Sequence, residues 1–313
     1  MAVPQVSFGI PTFGEAGPNG WRSLLALARA AEDAGVDRLV VSDHVVLGPH
    51  TDAYPWGTFP TGPTADWLEP LTVIAALAAA TERVRFLTGV LVAPLRPAAL
   101  LAKTVATVDV LSDGRMDLGV GVGWQPEEFA AVGASFADRG ALLDGTIADC
   151  RTLWAGDPLE VADGDGDGDG DGTSSPVWCY PRPAQERLPV WFSGTLNTRN
   201  LRRIVELGDG WIPIMGATPA DLATGTATLR AGLADAGRDP ALLQVRASPS
   251  LVRAEDSRID LTATAAGAPE LVEAGATDLH LPLRAFAPDA LADPVAAGRT
   301  MAEVVSAVHT ALG

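Results

Sequence analysis

The stretch Arg83–Trp124, RVRFLTGVLVAPLRPAALLAKTVATVDVLSDGRMDLGVGVGW, decides how this chain folds. It reads as strand, loop, helix, tight turn, strand and glycine-rich loop. The two apolar runs, Val84–Val90 and Met116–Val122, are too continuous to leave one face to water. Strands buried on both faces belong to a parallel sheet covered by helices. Each run brings glycine to its C-terminal end, as Thr88-Gly89-Val90 in the first and Gly119-Val120-Gly121-Val122-Gly123 in the second. Glycine lets a backbone approach a neighbour closely, at a cost in chain entropy. A single glycine here relieves crowding inside a barrel; a cluster at two neighbouring strand ends points to a site.

Outward from this stretch the same rhythm repeats. Val3–Ile10 reads as a strand and Trp21–Ala34 as a helix with Leu24, Leu27, Ala28 and Ala31 on one face, stopped at Gly35. Val36–Val41 is the second strand, ending in Ser42-Asp43-His44. The loop His44–Asp66 carries Tyr54 and Trp56 among prolines and glycines and runs into Trp67, a composition that suits a lid or pocket wall. A helix over Leu68–Thr81 leads into the central stretch, where a Pro97–Leu111 helix is joined to the next strand through Ser112-Asp113-Gly114-Arg115, with Gly where a positive φ is wanted. Helical patterns follow at Glu127–Val132 and Asp138–Trp154. Beyond them lie strands at Leu188–Ser193, Gly210–Ile214, Gln244–Val252 and Thr277–Pro282, with helices at Thr198–Leu207, Pro219–Ala236, Arg258–Ala274 and Asp289–Leu312. Eight strand–helix units in 313 residues predict an α/β fold of the closed (β/α)₈ TIM-barrel type, one domain spanning 1–313 with loop insertions. An open doubly wound sheet is the structural alternative.

One insertion has its own composition. Residues 162–175 open with the alternating run ADGDGDGDGDG. No frame of it supplies the glutamate that closes an EF-hand loop, so it reads as a flexible, solvated segment, with cation binding the lesser alternative.

Composition removes several classes of function. A net charge of −17 leaves no basic patch for nucleic acid or an anionic membrane. Lys103 is the only lysine, so a Schiff base would have to use a residue inside an apolar helix pattern. The two cysteines, Cys150 and Cys179, make neither a disulfide framework nor a zinc cluster. The histidines, His44, His50, His280 and His309, form no H-x-H or H-E-x-x-H pair, and no metal is expected. MAVPQVSFGI lacks the features of a signal peptide and no apolar run is long enough to span a bilayer, so a cytoplasmic protein is expected.

In a TIM barrel the active site lies at the C-terminal strand ends. This places Asp43 and His44, Thr88 and Gly89, Gly121 through Trp124, Ser193 to Asn197, and His280 on the candidate roll. His44 beside an acid at a strand end stands where a proton donor or acceptor belongs, although a loop histidine can equally serve a backbone hydrogen bond. Ser193-Gly194-Thr195 before a helix offers hydroxyls and a helix N-terminus to an anion, and Asn197 an N-cap. Glu127 and Glu128 open a helix, where the dipole favours carboxylates, so position alone makes neither catalytic. Trp124 occupies the third glycine position of G-x-G-x-x-G, which disfavours a dinucleotide fingerprint, and neither a G-x-S-x-G elbow nor a P-loop occurs.

Three features together resemble the bacterial-luciferase-like superfamily of flavin and deazaflavin enzymes, and more closely its coenzyme F420 branch. They are Ser42-Asp43-His44, the Leu111-Ser112-Asp113-Gly114-Arg115 turn leading to GVGVGW and Glu127-Glu128-Phe129, and Gly208-Asp209-Gly210-Trp211. The resemblance implies a (β/α)₈ barrel whose mouth holds the cofactor ring on Thr88-Gly89-Val90, with a cis Gly89–Val90 peptide beneath it. It implies cofactor contacts from Gly121, Gly123 and Glu127, a phosphate on Ser193, Gly194 and Thr195, His44 as proton donor or orienter and Asp43 against the polar edge of the ring. Relatives that oxidise sugar phosphates carry a glutamate where this chain has Trp124, together with phosphate-binding lysines that are missing here. Trp124, Trp56 and Tyr54 therefore point to an apolar or aromatic small-molecule substrate. The expected reaction is hydride transfer between F420 and an unsaturated or carbonyl-type compound. An FMN-dependent monooxygenase using O₂, and a non-catalytic flavin-binding barrel, are the competing expectations. The resemblance also implies a homodimer formed through barrel helices.

Overall fold

The glycine-ended strands of the opening stretch stand side by side in a closed barrel. The computed structural model describes residues 3–162, 174–214 and 216–313. Its barrel strands are β1 (Gln5–Gly9), β2 (Arg38–Val41), β3 (Arg85–Thr88), β4 (Met116–Gly121), β5 (Val190–Ser193), β6 (Gly210–Ile212), β7 (Gln244–Ala247) and β8 (Asp278–Pro282). Each runs parallel to its neighbours, and β8 returns to β1 with Gln5 opposite Asp278 and Gly9 opposite Pro282. The closed (β/α)₈ expectation holds, and the open sheet is excluded.

The helices are α1 (Ser23–Asp33), α2 (Pro70–Ala78), α3 (Ala98–Leu111), α4 (Pro126–Ala131), α5 (Arg139–Ala155), α6 (Thr198–Leu207), α7 (Pro219–Asp235), α8 (Leu261–Ala265), α9 (Ala268–Glu273), α10 (Leu283–Phe286) and α11 (Pro294–Leu312). Their boundaries follow local chemistry. Helix α7 begins with a capping box between Thr218 and Asp221, and α5 ends on Gly156 in the left-handed region at φ 91°. Helix α11 packs on α1, where a Cβ on Gly298 would lie 2.9 Å from that of Ala30. None of the described helices is long and apolar enough to cross a membrane.

Outward-facing strand residues such as Leu39, Phe86, Leu118 and Phe192 join the helices in the main core. Inside the barrel a smaller apolar cluster, Val40, Leu87, Trp191 and Ile212, faces a buried ion network. Arg38 bridges Asp117 and Asp278, each at 2.8 Å, and its guanidinium lies 4.9 Å over the Trp191 ring. Buried pairs of this kind recover their desolvation cost only when every group is satisfied, and they specify register more than they stabilise.

The two motif residues outside the mouth are structural. Arg115 of the Ser-Asp-Gly-Arg turn donates to the carbonyls of Ala78, Thr81, Val84 and Ser112 at 2.7–3.0 Å, pinning the end of α2 to the start of β3. Asp209 accepts from Arg187 at 2.6 Å, from Arg238 at 2.9 Å and from Arg151.

Several element expectations need correction. The third strand breaks after Thr88 and resumes as Leu91–Val92 against β4. The seventh ends at Ala247, because Pro249 offers no N–H to a ladder. The single helix expected over 258–274 is two short ones, with Pro269 at the start of α9. The long loop is not structureless either, since Asp66–Trp67 pairs antiparallel with Phe13–Gly14. Leu159–Ala162 and Ser174–Val177 form an antiparallel pair flanking the Asp/Gly run. Residues 163–173 of the expected 162–175 insertion lie outside the described residues.

Candidate active site

Strand β2 delivers Asp43 and His44 to the mouth, and the two side chains do different work. The Asp43 carboxylate is fully occupied by the protein, since it accepts from Arg96 Nη1 at 2.8 Å, Arg96 Nη2 at 2.9 Å and the Val92 N–H at 2.9 Å. This bidentate clamp fixes the segment just after the broken third strand. Arg96 also donates to Glu69 at 3.1 Å; burial lowers its pKa, and Asp43 and Glu69 more than reverse that. In this geometry Asp43 shapes the mouth through Arg96 and the Val92 N–H.

His44 is held from the other side. Its Nδ1 lies 3.0 Å from Glu128 Oε2, and Glu128 Oε1 accepts the Val45 N–H at 2.9 Å. Glu128 is fully buried. A carboxylate acceptor at Nδ1 assigns the proton of the neutral ring to that nitrogen, which leaves Nε2 as the free atom. The ring stands edge-on to Trp67 at 4.6 Å, to Phe59 at 5.3 Å and to Trp124 at 6.1 Å between centroids.

Those rings belong to a continuous aromatic wall. Tyr54 meets Trp56 at 5.4 Å, Phe59 at 5.3 Å and Trp124 at 5.3 Å, and Phe13 stacks on Trp67 at 4.1 Å. Burial pushes the Tyr54 phenol up, so it remains an O–H donor in the neutral range. Trp124 Nε1 is buried without a protein acceptor. The three expected pocket residues, Tyr54, Trp56 and Trp124, are thus brought together, and Trp56 is the most exposed at 41%.

The glycine cluster forms the floor. The Gly89–Val90 peptide is cis, as the resemblance implied, and the Gly89 N–H donates to the Val41 carbonyl at 2.7 Å. Thr88 is fully buried and clamps Gly119, donating to its carbonyl at 2.7 Å and accepting its N–H at 3.0 Å. A Cβ would meet Val40 Cγ1 at 2.2 Å from Gly89, the Thr88 carbonyl at 2.1 Å from Gly119 and Val90 Cγ2 at 2.8 Å from Gly121. Gly123 has φ 77° and packs against Phe129. No residue with a side chain fits these places as they stand.

Opposite, the Ser193-Gly194-Thr195 loop ends β5. Its carbonyls are held from below: Trp211 Nε1 donates to Gly194 O at 2.9 Å, and Asn200 Nδ2 to Ser193 O at 3.4 Å and Thr195 O at 3.2 Å. The exposed Thr195 and the N-terminus of α6, capped by Asn197, face outward. Glu127 Oε1 pairs with the exposed His50 at 2.6 Å, a hydrogen bond that raises His50 and lowers Glu127, while its Oε2 is buried without a protein partner among the described residues.

Sequence reasoning missed three contributors, Glu128, Arg96 and Phe59, whereas Trp67 reads as part of the lid or pocket wall. Glu128 lies 84 positions from His44, and its placement at a helix start hid it among carboxylates favoured by the dipole. Gln125, which accepts the Gly48 N–H at 2.9 Å, has no distinguishing signal at all. His280 sits on the barrel wall, 3.2 Å from Ser7 Oγ.

A closed parallel barrel with a glycine cluster, a held histidine and an aromatic wall at its mouth is a (β/α)₈ fold with a candidate active site at the C-terminal strand ends. The chain belongs to the luciferase-like monooxygenase family, whose model matches residues 6–273, and is an oxidoreductase of that family. It is 31% identical over 201 residues to an uncharacterised protein of Mycobacterium tuberculosis, covering 63% of this chain and 68% of that one. It is 36% identical over 200 residues to the F420-dependent glucose-6-phosphate dehydrogenase of Beutenbergia cavernae, covering 62% of this chain and 53% of the relative. Among solved structures, an F420-dependent secondary alcohol dehydrogenase with an F420-acetone adduct has the same fold, with TM-score 0.72, 18% identity and coverage of 98% and 99%. So does the type II Baeyer-Villiger monooxygenase component of 3,6-diketocamphane monooxygenase from Pseudomonas putida, in complex with FMN, at TM-score 0.70, 14% identity and 98% coverage of each chain.

Proposed function

We propose that this protein binds coenzyme F420 and moves a hydride between it and a small unsaturated or carbonyl-type substrate. The observation that carries the reading is the free Nε2 of a histidine whose Nδ1 is fixed by Glu128, facing an aromatic box beside a glycine floor. A flat ring system is supported by the aromatic wall beside the broken end of β3, while Gly89, Gly119 and Gly121 let the strands close tightly on Val40, the Thr88 carbonyl and Val90 beneath it. The loop Ser193-Gly194-Thr195 and the α6 N-terminus suit its phosphate. When bound, the cofactor supplies the hydride chemistry.

The chain's own residues supply the rest. His44 Nε2 gives or takes the accompanying proton, and Glu128 keeps the ring in the one tautomer and orientation that allows this. Tyr54, Trp56, Phe59, Trp67 and Trp124 exclude water and present apolar faces to substrate. The Trp124 indole N–H offers a donor to a substrate oxygen, which supports a carbonyl or enone over a sugar phosphate. FMN with O₂ is the second reading, supported by the flavin-bearing fold neighbour.

Fluorescence titration with F420 and FMN in parallel tests the cofactor. Micromolar F420 binding with weak FMN binding is expected, and the reverse preference transfers the proposal to an oxygen-using monooxygenase. His44→Ala is expected to lower turnover by about 10²- to 10⁴-fold with cofactor affinity retained; unchanged turnover removes His44 from proton transfer.

A further inference from the structure

The barrel floor carries polar chemistry that the His44 site does not use. Arg246 of β7 stands opposite Asp278 of β8, and its Nε donates to Asp278 Oδ2 at 2.9 Å. That is its one hydrogen bond among the described residues. Its Nη2 is buried without a partner, in a side chain only 6% exposed. Nη1 lies 3.5 Å from the position a Cβ on Gly89 would take, so the free edge of the guanidinium rises to the end of β3, beneath the Gly89–Val90 bulge.

His280 follows Asp278 by two positions on the same face of β8, one layer nearer the mouth. The Ser7 hydroxyl donates to Asp278 Oδ2 at 3.0 Å, so at 3.2 Å Ser7 Oγ accepts from His280 Nδ1–H. His280 Nε2 is left as an acceptor. Burial, together with the adjacent Arg246 and against Asp278, pushes this imidazole down to about 3, so it stays neutral. A Cβ on Gly9 would sit 3.3 Å from Nε2 and Cε1, so glycine there lets the ring pack close to β1 without crowding Nε2.

Charge completes the argument. Arg38, Arg85 and Arg246 share only Asp117 and Asp278. Arg85 is 27% exposed, at the start of its strand, and also donates to the Gly114 carbonyl and to Gln185 Oε1, each at 3.0 Å, whereas Arg246 has no such further acceptor among the described residues. A buried guanidinium edge with no acceptor calls for a counter-group.

We propose that Arg246 and His280 form a two-point subsite on the barrel floor for a ligand edge carrying an anionic oxygen beside an N–H. The guanidinium donates to the oxygen and His280 Nε2 accepts from the N–H. Resting on the cofactor reading, that edge is the pyrimidinedione side of the reduced flavin or deazaflavin, where the negative charge of the reduced ring is shared with a carbonyl oxygen next to the imide N–H. A substrate carboxylate shares the anionic oxygen of this pattern and would use the guanidinium contact alone.

Dissociation constants for the oxidised and reduced forms of F420 and FMN test this in the full chain, alongside thermal melts of each variant. Wild type is expected to prefer the reduced form. Arg246→Met is expected to reduce that preference about tenfold, about 30 mV for a two-electron couple, and Arg246→Lys to keep most of it. His280→Leu is expected to weaken both oxidation states equally, because the imide N–H is common to both. If Arg246→Met does not fold, Arg246→Gln is read in its place. Cofactor binding that none of these variants alters overturns the subsite while leaving the cofactor reading intact. If wild type binds neither cofactor, that reading fails, and acetate decides the subsite: a rise in melting temperature in wild type that is absent in Arg246→Met supports a carboxylate ligand, and no rise in wild type overturns the proposal.

Discussion

His44 shows how one buried neighbour turns a loop histidine into a defined chemical group. Glu128 is fully buried and serves two donors, His44 Nδ1 and the Val45 N–H, so its removal orphans both. Glu128→Ala is expected to cost about 1–3 kcal/mol of stability, read by denaturant unfolding, and to lower turnover because Nε2 is no longer aimed. Glu128→Gln keeps an acceptor for Nδ1–H but not the charge beside the ring. It leaves the other donor facing the amide NH2, so it is expected to lose part of the stability lost in Glu128→Ala, with its loss of turnover accompanied by a displaced limb in the pH–rate profile. A stability loss in Glu128→Ala without any change of the Glu128→Gln profile would make the contact purely structural.

At the scale of elements, the glycines divide into those a neighbour requires and those nothing requires. Gly119 is the first kind, because its missing Cβ would lie 2.1 Å from the Thr88 carbonyl oxygen, a backbone atom that cannot turn aside. Gly119→Ala is expected to destabilise by about 1–3 kcal/mol and to displace β3 where it breaks. Gly145, inside α5 with no atom within 4 Å of an added Cβ, is the second kind. Gly145→Ala is expected to stabilise by about 0.5–1 kcal/mol, and chemical denaturation of the pair reads both signs. The strands and most helices were legible because burial on both faces leaves continuous apolar runs, and the glycine cluster was legible because it interrupts them. The break after Thr88, the pairing of Asp66–Trp67 with Phe13–Gly14 and the divided helix α8–α9 were not, since tertiary register rather than local period sets them. The same holds within the site. His44, Trp124 and Gly89 announce themselves by type and strand-end position, whereas Glu128, Arg96 and Phe59 acquire meaning only through partners remote in sequence.

The chain carries a net charge of −17, while the centre of its barrel holds guanidiniums and carboxylates in buried ion pairs, and these pairs bear on how it responds to pH. Burial raises the pKa of Asp278, yet the charges of Arg246 and Arg38 hold it below its ordinary value. Asp209 is likewise held down by Arg151 and Arg187 against its own burial. A depressed carboxylate contributes stability above its unfolded pKa and loses it as pH falls through the folded value, so these two act only in the acid range below about 4. His280 acts earlier. Its folded pKa of about 3 lies below the ordinary 6.5, so between those values the unfolded chain binds a proton that the native state refuses. Stability therefore falls as pH drops from 6.5 towards 3, with a slope of at most about 1.4 kcal/mol per unit from this one group. His280→Gln retains hydrogen-bonding capacity towards Ser7 and cannot titrate. Denaturant unfolding between pH 7 and 4.5 is expected to show a declining free energy in wild type and a distinctly flatter one in His280→Gln. Parallel declines in the two proteins would mean that His280 takes up its proton in the folded state, and would remove the basis for treating its Nε2 as a permanent acceptor.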